Sequence, residues 1–193
     1  KSIDLGKTSS DLLTKARNYT VQGTLYYLYY NWNKIIECSL AACDCYKTIG
    51  DIDNYVIMLC RVAEGYTLMG NKELGRDYLL RCQDLLDGIN NNSKAYYYRV
   101  CLSNDSYELP SETIPQNIVE YLSIVSLDDA DWLTVAGAYL RIHDITSAKD
   151  AISKYKYNGN DARYYAFLTD LYKVENSYKE ALSAYENFNH ITD

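Results

Sequence analysis

An internal repeat constrains this chain more than any local motif. A small residue is followed three positions later by tyrosine at Gly23/Tyr26, Ala63/Tyr66, Ala136/Tyr139 and Thr169/Tyr172. Nine positions past each tyrosine stand Ile35, Gly75, Ala148 and Ala181. Ser39, Leu79, Ile152 and Tyr185 lie four further on, and Ala42, Cys82, Tyr155 and Phe188 three beyond those. Small residues let two helices approach within about 8–10 Å. Three- and four-residue steps mark the buried face of a helix. The tyrosine is expected to fill the gap between one helix pair and the next. The interval from Tyr66 to Tyr139 is nearly twice the others and holds a unit with a decayed signature, Ser93 to Val125. The spacing predicts about five antiparallel helix pairs in one domain spanning 1–193, with units near 11–50, 53–90, 93–126, 128–160 and 162–193.

Composition agrees with an all-α fold. The chain has 48% hydrophobic residues and only 2 prolines and 9 glycines, so it can bury a core and lacks the punctuation of a many-turned β-sandwich. Its 22 tyrosines against 2 phenylalanines and 2 tryptophans suit half-buried helix faces that keep a hydroxyl wet. The net charge of −7 argues against nucleic acid as a partner of this segment, because phosphate contacts need clustered Lys and Arg. No apolar run approaches the roughly 20 residues that span a bilayer.

Candidate helix boundaries follow from caps and turns. Ser9 or Ser10 can cap a first helix from Asp11 to about Tyr30, and Asn31-Trp32-Asn33 interrupts it. Gly50 suits a left-handed helix end, and Gly70-Asn71 a tight turn. Asn104 to Thr113 reads as a polar loop holding Pro110, and Pro115 suits the first turn of the helix that follows. Asp128, Asp129 and Asp131 precede Trp132, where acids favour a helix N-terminus over a calcium loop.

Chemistry-bearing motifs are few. The cysteines at 38, 43, 45, 60, 82 and 101 fall inside helical patterns. Cys38 and Cys45 in one helix would stand roughly 10 Å apart at 1.5 Å per residue, too far for a disulfide. All six read as small buried hydrophobes. His143 and His190 lack a nucleophilic partner at recognisable spacing, and neither a glycine-rich phosphate loop nor an HExxH zinc motif occurs. No enzyme activity, metal or cofactor is therefore expected. Asn18-Tyr-Thr20, Asn91-Asn-Ser93 and Asn104-Asp-Ser106 match the short glycosylation sequon, a pattern that often arises by chance.

The last unit resembles the tetratricopeptide repeat family through Tyr165, Leu168, Thr169, Tyr172, Ala181, Tyr185 and Phe188. The unit before it does so through Trp132, Val135, Ala136, Tyr139, Ala148 and Tyr155, and the second unit through Leu59, Ala63, Tyr66, Gly70 and Leu79. The first unit departs, with Ile35 and Ser39 where alanine and an aromatic are usual. The resemblance implies an α-α superhelix, a solenoid whose first helices line a concave groove for a protein or peptide partner. It would place Arg17, Thr20, Thr24, Tyr27, Glu64, Thr67, Tyr97, Arg141, Arg163, Asp170 and Lys173 on that groove. The family's Lys and Asn grip on a peptide's terminal carboxylate is not matched: Thr20, Thr24, Cys60, Glu64, Leu133, Gly137, Ala166 and Asp170 stand there instead. A second resemblance is to the tetratricopeptide regions of membrane-anchored bacterial transcription regulators, through Thr48-Ile-Gly-Asp51 and the exit-like helix from Ala184 to Asp193. It implies an extracytoplasmic sensor segment. The compartment stays open between cytoplasmic and, for that second resemblance, periplasmic.

Overall fold

A computed structural model describes the backbone of residues 2–103 and 112–192, with side chains from Ser10 onward. The described residues form helices and turns, with no strand among them. The helices are α1 (Ser2–Leu28), α2 (Trp32–Ile49), α3 (Ile52–Leu68), α4 (Lys72–Gln83), α5 (Asn91–Ser103), α6 (Thr113–Ile124), α7 (Trp132–Arg141), α8 (Ile145–Ser153), α9 (Ala162–Val174) and α10 (Tyr178–Thr192), with a 3₁₀ turn at Leu86–Gly88. The fold is all-α, as the composition and periodicity predict.

One turn chemistry recurs between helices. Tyr30, Gly50, Gly70, His143 and Asn176 all take positive φ, from 52° to 85°. The next residue in each case donates its N–H to the carbonyl of a tyrosine five positions back. These bonds run from Asn31 to Tyr26, Asp51 to Tyr46, Asn71 to Tyr66, Asp144 to Tyr139 and Ser177 to Tyr172, at 2.9–3.1 Å. This closure satisfies carbonyls that the helix end would orphan. Asn31, Asp51, Asn71 and Asp144 then turn their side chains onto the next helix and cap it at the N–H of Lys34, Asn54, Leu74 and Ser147. The same few residues thus end one helix and start another.

Several boundaries differ from the sequence expectation. α1 is already helical at Ser2, so Ser9 and Ser10 lie inside the helix and do not cap it. It ends at Leu28, and Tyr30 leaves the helical region. Most of the expected loop from Asn104, with Pro110 and the Asn104 sequon, lies outside the described residues. Thr113 already belongs to α6, whose first turn holds Pro115. Of the acidic cluster, Asp131 caps α7 through the Thr134 N–H and hydroxyl, at 3.2 and 2.9 Å, while Asp129 accepts from Ser126 and Asp128 pairs with Lys156. The Tyr66 ring stacks on Tyr78 of α4, its own partner helix, at 5.7 Å between centroids. This repeat tyrosine therefore packs against the second helix of its own pair.

The small residues sit at close crossings. Ala63, Ala136 and Ala148 are fully buried. At Gly75 an added Cβ would stand 2.9 Å from the Ala63 carbonyl oxygen and 2.2 Å from Thr67 Oγ1. α3 and α4 can approach this closely only with glycine there.

Consecutive helices pack as pairs, α1 with α2 through α9 with α10. The first helices of neighbouring pairs also touch: α3 meets α5, α5 meets α7, and α7 meets α9. α1 reaches α3 through polar links, Thr20 Oγ1 to Met58 Sδ at 3.7 Å and Arg61 Nη1 to Thr24 Oγ1 at 3.0 Å. Two apolar clusters fill the interior. One holds Ala16, Ala42, Met58, Leu79, Tyr97 and Val100, and the other holds Leu102, Ile118, Val135, Ala148 and Phe167. α5 contributes to both, and Tyr98 packs against both. All six cysteines are free and buried, as small hydrophobes should be.

Candidate functional site

The first helices bring a polar cleft together at the front of the stack. Helical three- and four-residue steps place Gly23, Thr24 and Tyr27 of α1 beside Arg61, Glu64 and Gly65 of α3 and Tyr96 and Arg99 of α5. Trp32 and Ile35 of α2 close one wall, and the pocket is about 180 Å³. Tyr27 meets Trp32 edge-on at 5.4 Å. Gly65 allows α2 to come this near: a Cβ on it would stand 2.6 Å from Ile36 Cγ1.

The charged groups are arranged around one carboxylate. Tyr96 donates its hydroxyl to Glu64 Oε2 at 3.4 Å. Arg61 is held by Thr24 at 3.0 Å and by the Thr20 carbonyl at 3.5 Å. The Arg99 guanidinium lies over the Tyr96 ring, 4.9 Å from its centroid. Burial pushes the Glu64 carboxyl above its ordinary range, with Arg99, the Tyr96 hydroxyl and Arg61 opposing. Burial and then Glu64 push the Tyr96 phenol up to about 12. Tyr27 is raised by burial and by Glu64, while Arg99 opposes.

The residues expected on the groove divide into three groups. Thr24, Tyr27 and Glu64 line the pocket, and Thr20 supports it from behind through Arg61 and a 3.3 Å contact with the Tyr46 hydroxyl. Thr67 and Tyr97 do not lie on an open face. They are only 4% and 7% exposed because their turns of α3 and α5 point into the core, with Thr67 against Gly75. Thr67 Oγ1 is buried without a hydrogen-bond partner. Arg141 donates to the Leu102 carbonyl at 2.6 Å, which commits it to closing the end of α5. The remaining group is exposed and does not line the pocket. Arg17 is solvated, Asp170 and Lys173 pair at 3.3 Å, and Arg163 pairs with Asp161 at 3.2 Å.

The sequence reading missed Arg61, Arg99, Tyr96 and Trp32. A usable signal was present. Arg17, Arg61, Arg99, Arg141 and Arg163 stand one on each first helix, while only Arg76 and Arg81 fall elsewhere. Of these five, Arg61 and Arg99 reach the pocket.

A second aromatic cluster joins the last two pairs. Tyr164 of α9 stacks on Tyr157 at 4.5 Å and on Tyr155 at 5.8 Å, and Tyr157 donates to the Tyr165 hydroxyl at 3.0 Å. Burial acts to raise the nearby Asp161 carboxyl, but hydrogen bonds from Tyr155 and Arg163 more than offset it and hold the carboxyl low. Among the described residues, no helix is long and apolar enough to cross a membrane, and no group of three potential metal ligands occurs. The sequence matches no protein-family model and no curated protein.

Proposed function

We propose that this chain is a helical-repeat scaffold of the tetratricopeptide kind, which binds a protein or peptide partner along the face built by α1, α3, α5, α7 and α9. The observation that carries the reading is the pocket shared by three successive helix pairs, with Thr24, Tyr27, Arg61, Glu64, Tyr96 and Arg99 around it. Aromatic and arginine side chains at the centre of a concavity are what interface hot spots are made of. The pairing of α3 with α5, α5 with α7 and α7 with α9 extends the same face along the chain. The role is recognition, with no catalytic step assigned to any residue.

The second reading, a sensor segment of a larger regulator, draws on the same pocket. Its walls come from three units, so an occupant would tie their relative positions together.

Peptide selection from a random library on the intact chain tests the scaffold reading. Tyr27→Ala and Arg61→Ala should abolish capture of the selected peptides, while Arg76→Ala on α4 should leave it unchanged. Capture that survives both inner-face changes and falls with Arg76→Ala would contradict the reading.

A further inference from the structure

The pocket has the chemistry of an acid-binding site. Its two guanidiniums outnumber its one carboxylate, within a chain whose net charge is −7. Arg61 is already oriented by Thr24 and the Thr20 carbonyl. Arg99 has no hydrogen bond and no ion pair among the described residues; it stacks on Tyr96, and the Glu64 and Asp131 carboxylates act on it only through space. A half-buried guanidinium with its forked donors unmet is a vacant half of a bidentate pair, and a carboxylate is its natural complement. The wall opposite is largely apolar: Tyr27 edge-on to Trp32, with Ile35, Gly23 and Gly65 beside them. At about 180 Å³ the pocket lies below the ~300–1,000 Å³ of drug-sized sites, so it suits one ring with a small polar group beside it.

We propose that this pocket takes a carboxylate carried on a single flat apolar group, with the carboxylate between Arg61 and Arg99 and the flat group against Tyr27 and Trp32. This deepens the scaffold reading and rests on it. The source is either a small free acid or an acidic side chain beside an aromatic one in a bound peptide. Either would be recognised without the terminal-carboxylate grip, whose residues are not present.

Glu64 gives the site a pH signature. The groups facing it are Arg61 on its own helix, Tyr96 and Arg99 on α5, and Tyr27 on α1, while Asp131 bears on Arg99 from the start of α7. α2 brings only Trp32 and Ile35 to the lining, and neither titrates. An arriving carboxylate meets Glu64 as a like charge, so binding strengthens as Glu64 takes up a proton.

The test is calorimetric titration of the intact chain with phenylacetate, its uncharged analogue phenylacetamide, and a doubly capped peptide containing Phe-Asp. The acid should bind about tenfold or more tightly than the amide, the scale of a charge-assisted hydrogen bond. Arg99→Met should remove that preference, with the fold checked by circular dichroism, and Arg99→Lys should restore only part of it. While phenylacetate stays ionised, affinity should rise as pH falls through the Glu64 titration, and Glu64→Gln should flatten that dependence. Binding of either acid with this pattern supports the proposal, and the tighter one identifies the source. Binding of neither acid, equal binding of acid and amide, an unchanged preference in folded Arg99→Met, or an unchanged pH profile in Glu64→Gln would overturn it. Should the acids fail while inner-face variants still abolish capture of library-selected peptides, this proposal falls alone. Loss of both results would take the scaffold reading with it.

Discussion

Left-handed residues at the turns hold the clearest single-site energetics. His143 and Asn176 adopt φ of 59° and 60°, a region that costs an L-residue roughly 1–2 kcal/mol and glycine almost nothing. His143 is exposed, so His143→Gly should stabilise the fold by about 0.5–1 kcal/mol after glycine's entropy is allowed for. A denaturant midpoint that rises at unchanged slope would show it. Gly75 makes the opposite case. Alanine there has better helix propensity by about 1 kcal/mol, yet its Cβ would press on the backbone oxygen of Ala63. Gly75→Ala should therefore destabilise, by about 1–3 kcal/mol from overpacking. The neighbouring Thr67 hydroxyl is buried and unpartnered, so Thr67→Val should leave the melting temperature unchanged or raise it. At this scale the glycine turns at Gly50 and Gly70 were legible, because a Gly-Asp or Gly-Asn step after a periodic run has a defined geometry. Thr67 and Tyr97 were misplaced. A polar side chain on a first helix looks the same in sequence whether its turn faces the groove or the neighbouring pair.

Single helices depend on their caps more than on their own propensity. Asp131 supplies two bonds to Thr134, and Asp131→Ala should lose about 1 kcal/mol, read as a lower unfolding midpoint. Asp161 caps α9 while accepting from Tyr155 and Arg163, and its carboxyl is held low. The sign of the linkage follows: a depressed folded pKa adds stability above the unfolded value, and that stability fades as pH falls through the folded value. Acid titration of wild type against Asp161→Asn should show the wild type losing more stability over that range. Helix existence and order were legible from periodicity, since three- and four-residue spacing survives any sequence drift that keeps the buried face. The start of α1 was not. Ser9 and Ser10 resemble a cap, but a cap residue inside a continuing helix is distinguished only by the backbone before it.

Across the whole molecule, α5 is the joint. It feeds both apolar clusters, so damage there should not stay local. Leu102 is fully buried, and Leu102→Ala should destabilise by about 2–5 kcal/mol. Its unfolding, followed by far-ultraviolet dichroism and by tyrosine fluorescence, should remain one coincident transition, whereas separated transitions would mean that the two clusters unfold independently. The pairwise plan of the chain was readable from the spaced small residues and tyrosines. The pocket was only half readable, through Thr24, Tyr27 and Glu64. Arg61, Arg99 and Tyr96 join it only once α1, α3 and α5 lie side by side, a juxtaposition that no local spacing encodes. The most direct test of the account is hydrogen–deuterium exchange on the intact chain with and without a library-selected peptide. Binding should slow exchange in the second half of α1, in α3 and in α5. Protection confined to α2, α4, α8 and α10 would place the binding surface on the opposite face and contradict it.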